Sequence, residues 1–146
     1  MSMSHLLRVG VLRGGPSNEH EVSLDSGAAV LGILKNNFYD RYDAHDVLID
    51  RNGAWNMSGQ SIEPHDAIRR FDVAFNALHG NYGEDGKIQS FLESHSMPFT
   101  GSGSLGSALG MNKVISKKIL NDHDIRRLGR QALWEGKSWP GVNSTL

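Results

Sequence analysis

The sequence contains no cysteine. That absence excludes disulfides, thiolate nucleophiles and cysteine metal ligands, and it suits a reducing compartment. No apolar run approaches the roughly 20 residues that span a bilayer. The N-terminal MSMSHLLRVGVL also lacks the layout of a signal peptide, because Arg8 breaks its short apolar stretch. The cytoplasm is therefore the expected location. Charge of one sign is lacking too: 15 Lys and Arg against 16 Asp and Glu leave a formal net charge of -1. Such a balance offers nothing for nucleic acid or an anionic membrane surface to recognise. Several motifs are missing: HExxH or a similar spacing for a protein-held metal, a GxSxG elbow, a GxGxxG fingerprint, and a Walker lysine after the first glycine pair.

Glycine, by contrast, is plentiful at 17 residues, many of them clustered in loops where backbone must approach something closely. With 38% hydrophobic and 21% charged residues, the 146-residue chain has the composition of a globular domain able to bury a core unaided.

The hydrophobic pattern predicts an α/β domain with an open, mostly parallel sheet flanked by helices in three layers, Rossmann-like in outline. LLRVGVLR (6–13) reads as a buried strand. A helix is expected from Glu21 to about Phe38, with Val22, Leu24, Ala28, Leu31 and Leu34 as its apolar stripe. A second strand falls near Ala44–Ile49, and Asn52-Gly53 marks a hairpin turn. Pro64 opens a short helix ending near Arg70. FDVAFNAL (71–78) is a third strand, EDGKIQSFLESH a helix with Ile88, Phe91 and Leu92 inward, and MPFTGS (97–102) a short fourth strand. A glycine-softened turn and a helix capped by Asn112 follow, its apolar side being Val114, Ile115, Ile119 and Leu120. The remainder, which holds Trp134 and Trp139, has no clear strand and reads as an irregular tail. The expected division is residues 1–111 and 112–146.

In parallel sheets, ligand loops gather beyond the carboxyl ends of the strands. Two glycine-rich loops, 14–19 and 79–86, leave their strands at that end. In the first, Gly14-Gly15 is followed by PSNEHE, which sets Ser17, Glu19 and Glu21 around a helix start. Acidic residues there complement the helix dipole. Alternatively, Glu19 aims a carboxylate over the rim at a cationic group such as an amino acid's ammonium. In the second loop, His79 stands at a strand end, as a loop histidine or as a partner for a carboxylate. Glu84 and Asp85 are expected to cap the following helix. Lys113, Lys117 and Lys118 form a solvated face, with Lys113 best placed to meet a phosphate.

The stretches GGPSNEHEVSLDSGAAVL, FDVAFNALHGNYGEDGKIQSFLE, MPFTGSGSLGSALGMNK and SKKIL, in that order, resemble the N-terminal part of a D-alanine–D-alanine ligase over residues 7 to 120. The resemblance implies an ATP-grasp ligase of peptidoglycan precursor synthesis, with an α/β N-terminal domain, ATP and Mg2+ as cofactors, D-alanine as substrate and a homodimeric assembly. In that chemistry, ATP phosphorylates the carboxylate of one D-alanine, and the amine of a second attacks the acyl phosphate. By position, the resemblance makes Glu19 the holder of the first D-alanine's ammonium and His79 its neighbour near the carboxylate. Gly14 and Gly15 would keep the first loop tight, Ser17 would belong to the same substrate loop, and Lys113 would contact ATP phosphate. Departures are Asn112, where the family commonly has aspartate, and Pro16, where threonine is common. Beyond residue 120 the resemblance fades. The adenine pocket and magnesium carboxylates implied by the family are therefore not expected in this chain. A binding or dimerisation module of the same fold is the alternative to a ligase.

Overall fold

The first apolar run forms strand β1 (Leu7–Gly14), at the centre of the computed structural model, which describes residues 5–123. Its side chains are buried on both faces. Val9 and Val11 belong to one core cluster and Leu12 to the other. Two-sided burial explains why β1 reads as a continuous apolar run without alternation. Gly10 sits where a Cβ would meet the Phe71 ring at 2.5 Å, so the glycine lets an aromatic ring lie against the strand.

Helix α1 (His20–Asn37) returns the chain to β2 (Tyr42–Ile49), which pairs in parallel with β1 from Leu7↔Tyr42 to Gly14↔Ile49. The chain then turns back. β3 (Trp55–Met57) pairs antiparallel with β2, and β4 (Gln60–Ile62) antiparallel with β3. Asn52-Gly53 lies in the first of these turns, as expected, with Gly53 at φ 87°. The second hairpin was not anticipated. Its two-residue loop, Ser58-Gly59, takes φ of 53° and 78°, as a type I′ turn requires.

Helix α2 (Pro64–Ile68) leads to β5 (Val73–Asn76), which pairs in parallel with the other side of β1. The sheet order is thus β4-β3-β2-β1-β5. The fourth strand expected at 97–102 shrinks to an isolated bridge, Ala74↔Phe99, held by the Ala74 and Thr100 amides. Pro98 lacks an amide donor, and Gly101 at φ 110° bends the chain away, so the pairing cannot extend.

Helices α3 (Lys87–Ser94) and α4 (Ser104–Met111) follow. Glu93 of α3 accepts the Ser104 amide (2.8 Å) and hydroxyl (2.5 Å), so one helix caps the next from outside. These bonds hold the Glu93 carboxyl below its ordinary range. Trp55, Ile68, Phe71, Ile88 and Leu92 pack on one face of the sheet, while Leu31 packs with Val9, Val11 and Ala44 on the other. The result is the expected three-layer arrangement.

The stripe expected for α1 holds at Leu31 and Leu34 but is corrected nearer the N-terminus. Val22 is 54% exposed, whereas the buried line is His20, Ser23, Gly27 and Leu31. The helix lies so close to β1 that a Cβ on Gly27 would sit 2.5 Å from Arg13 Cβ. Over the first turns small and polar residues occupy the contact because bulky ones do not fit, whereas Leu31 further along packs on Val9 and Val11.

Met1–Asn112 and Lys113–Leu146 are separate compact units. In the second, helix α5 (Lys113–Asp122) starts at Lys113 and buries none of its residues; Val114, Ile115 and Ile119 stay exposed. The irregular tail, Trp134 and Trp139 included, lies outside the described residues.

Candidate functional site

β1 has β2 on one side and β5 on the other, so the strand order reverses at β1. Crevices at the carboxyl ends of strands around such a reversal are where open α/β sheets bind ligands. The loop after β1 and the loop after β5 meet there.

Gly14 and Gly15 both adopt φ 89°, a left-handed conformation that only glycine takes without strain. A Cβ on Gly14 would overlap the Ile49 carbonyl oxygen. The Gly15 amide donates to that same carbonyl at 2.8 Å. Buried His20 closes the loop from the other side, its Nδ1–H donating to the Gly15 carbonyl at 2.6 Å. Ser23, fully buried, accepts the Gly14 amide and donates to the Ala77 carbonyl, each at 2.8 Å. It thereby ties together the ends of β1 and β5.

Ser17 performs the same service one step further out. Its hydroxyl donates to the His79 carbonyl at 2.7 Å and accepts the Glu19 amide at 3.1 Å. This clamp joins residues 62 positions apart and sets Glu19 against the second loop. A Cβ on Gly80 would lie 3.5 Å from Glu19 Oε1, so the carboxylate stands directly over the glycine. Glu19 precedes α1, yet its side chain makes no capping bond and remains exposed. Its neighbour Glu21 points elsewhere, to Arg51 at 2.7 Å.

The His79 ring lies between the two loops' elements. Nε2 is 3.0 Å from the Ser26 hydroxyl of α1, and Nδ1 is 3.6 Å from Glu84 Oε1. Glu84 therefore does not cap α3 as expected. Its other oxygen accepts the Gly80 amide at 3.1 Å, which folds the loop back on itself. Asp85 does meet the helix start, accepting the Lys87 amide at 3.1 Å. Burial works to raise its carboxyl, but hydrogen bonds from the Tyr82 and Lys87 amides prevail and hold it below its ordinary range. Tyr82 carries a positive φ of 75°, and burial raises its phenol.

Beside His79 and Glu84 opens a cavity of about 480 Å³, bordered also by Asn76, Gln89, Thr100 and Ser107. Gln89 donates to the Gly83 carbonyl at 2.7 Å, while its Oε1 is buried without a hydrogen-bond partner. Gly14, Gly15, Ser17, Glu19 and His79 are thus gathered on one rim. Lys113 opens α5 in the other unit. Sequence reasoning missed Ser26 and the turn-back of Glu84. Ser26 meets His79 from 53 positions away and Glu84 turns back within its own loop, and neither lies in a spacing pattern that signals a contact with His79.

Among the described residues there is no group of three or more His, Cys, Asp or Glu that could hold a metal ion, so Mg2+ finds no ligand set among them. Nor is any helix among them long and apolar enough to cross a membrane.

A protein-family model described as the D-ala D-ala ligase N-terminus matches residues 8–66 and 57–102. The chain belongs to the D-alanine–D-alanine ligase family. The D-alanine–D-alanine ligase of Natranaerobius thermophilus is 36% identical over 150 residues, covering 82% of this chain and 40% of the relative. That of Geotalea uraniireducens is 48% identical over 111 residues, covering 76% of this chain and 32% of the relative. Among solved structures, the D-alanine–D-alanine ligase of Coxiella burnetii superposes with a TM-score of 0.70 at 26% identity, covering 82% of this chain and 42% of that one. The D-alanyl-alanine synthetase A of Vibrio cholerae does so at 0.66, also 26% identical. The chain therefore spans 32% to 40% of these ligase sequences, over the part that holds the rim.

Proposed function

We propose that this chain supplies the first-substrate half of a D-alanine–D-alanine ligase, the ATP-dependent enzyme that joins two D-alanines through an acyl phosphate for peptidoglycan synthesis. The observation that carries this reading is the Ser17 clamp, which puts the Glu19 carboxylate beside the His79–Gly80 backbone at the strand reversal. A carboxylate that is exposed and free of any capping duty is suited to an ammonium ligand. The imidazole of His79, the residue before Gly80, suits the carboxylate end of the same amino acid. In this reading Glu19 holds the ammonium, His79 lies by the carboxylate, and Gly14 and Gly15 bring the backbone close. Ser17 fixes the spacing between the two loops.

The same reading takes residues 1–111 as the N-terminal substrate-binding domain and 112–146 as the opening of the central ATP-grasp domain. Lys113 would then meet ATP phosphate, in a cytoplasmic homodimer. ATP and Mg2+ supply the activation of the carboxylate when bound. The described residues lack a metal ligand set. This chain's residues bind and orient one amino acid.

The test is D-alanine titration of the 146-residue chain, followed by calorimetry or NMR, together with ADP release in ATP and Mg2+. The expected result is D-alanine binding that Glu19→Ala abolishes, without D-alanine-dependent ADP release. Binding unaffected by Glu19→Ala would sink the assignment. Self-association without any D-alanine binding would favour a dimerisation module.

A further inference from the structure

Ser26, His79 and Glu84 stand in the order hydroxyl, imidazole, carboxylate, with Oγ 3.0 Å from Nε2 and Nδ1 3.6 Å from Oε1. That order is shared with nucleophilic triads. Here it cannot serve a nucleophile. Ser26 lies inside α1, where the surrounding backbone amides are spent on the helix's own ladder, and no pair of them is left to stabilise an oxyanion. What the arrangement does provide is orientation. Both ring nitrogens are engaged by groups that are themselves anchored. Glu84 is pinned through Oε2 to the Gly80 amide, and its own amide donates to the Gly80 carbonyl at 2.9 Å. Ser26 is carried by α1, whose neighbouring turn is locked into the sheet by Ser23.

We propose that Ser26 is the positioning residue of His79. With the Glu84 carboxylate facing Nδ1, that nitrogen carries the proton of the neutral ring, and Nε2 offers its lone pair to the Ser26 hydroxyl. Which nitrogen is protonated follows from the hydrogen bond made by the other. The hydroxyl thus holds His79 in the Nδ1–H form, the minor tautomer of a free imidazole in water, and fixes the plane of the ring before a ligand arrives. Such preorganisation spares a ligand the cost of fixing the ring on binding. The consequence for binding rests on the reading of His79 as a ligand contact; the hold on the ring does not.

The experiment uses the full chain, ¹⁵N-labelled, with His79 assigned by comparison with His79→Gln. At alkaline pH, where the imidazole is neutral, long-range proton–nitrogen correlations read the tautomer directly. The expected result is Nδ1–H in the parent chain, a switch toward Nε2–H in Ser26→Ala, and Nδ1–H restored in Ser26→Thr. The amide spectrum away from the rim should be unchanged in both variants, which separates orientation from folding. An Nε2–H ring in the parent chain, or a Ser26→Ala chain with an unaltered tautomer, would overturn the proposal. Adding D-alanine to the same samples tests the consequence. Its dissociation constant should rise about threefold to tenfold in Ser26→Ala, where binding must also immobilise the ring, and return in Ser26→Thr. If D-alanine leaves His79 unperturbed in every chain, the ligand-contact reading fails while the tautomer result still decides the role of Ser26.

Discussion

The Ser23 hydroxyl accepts the Gly14 amide hydrogen at 2.8 Å, nine positions away in sequence and wholly out of solvent. Because the same oxygen donates to the Ala77 carbonyl at 2.8 Å, one side chain satisfies the last peptide groups of two parallel strands. Ser23→Ala would strand both groups without water. A loss of about 2 to 4 kcal/mol in unfolding free energy is expected, measured by urea denaturation.

Gly27 and Gly32 lie on the same helix and should respond oppositely to alanine. At Gly27 a Cβ would press on Arg13 Cβ at 2.5 Å and Cδ at 2.7 Å; at Gly32 it would meet nothing within 4 Å. Gly27→Ala should destabilise the chain by about 1 to 3 kcal/mol through overpacking. Gly32→Ala should stabilise it by about 0.5 to 1 kcal/mol through helix propensity. Thermal melts of the two variants side by side would reveal an equal response, and with it a wrong helix–strand spacing.

The Arg8–Asp72 pair sets an acid limit. Arg8 donates to Asp72 from Nη2 at 2.5 Å, from Nε at 3.2 Å and from its backbone amide at 2.9 Å. Hydrogen bonds from the guanidinium, then from the amide, bring the Asp72 carboxyl down from 3.8 to about 2. A folded value below the unfolded one means that the contribution is complete above 3.8 and disappears as pH falls through about 2. Asp72→Asn should therefore show a shallower decline of melting temperature across that window than the parent chain. Parallel declines would show that the pair does not govern the acid limb.

Glu19→Ala should leave stability within about 0.5 kcal/mol of the parent, because the side chain is exposed and makes no capping bond. D-alanine binding should nevertheless vanish. A large drop in melting temperature would mean that Glu19 serves the helix rather than a ligand.

Legibility differed between the fold and the site. The strand–helix alternation could be read because two-sided burial writes continuous apolar runs into β1 and a turn chemistry into Asn52-Gly53. The face of α1 could be read only in part. Leu31 belongs to the stripe, but nearer the N-terminus the contact is made by Ser23 and Gly27, residues that a hydrophobic stripe does not contain. The short pairing at Phe99 was overread because an apolar segment beside proline looks like a strand whether or not a second hydrogen bond can follow. At the site, Gly14, Gly15, Ser17, Glu19 and His79 were legible as residues of two loops at strand ends, though their clamping through Ser17 was not. Glu84 was misread, since an acidic residue ahead of a helix looks like a cap even when its oxygen turns back to Gly80.

The Arg8–Asp72 pair lies at the foot of the β1–β5 couple, and the glycine corner with its serine ties lies at the head. Strand length keeps the two ends about 20 Å apart. The foot is therefore a handle for adjusting how much of the population is folded, while the head keeps its shape in every folded molecule. Editing it at neutral pH, as in Asp72→Asn, dilutes the number of competent rims without detuning any one of them. Apparent affinity should then fall with the folded fraction alone, and the intrinsic constant should stay put.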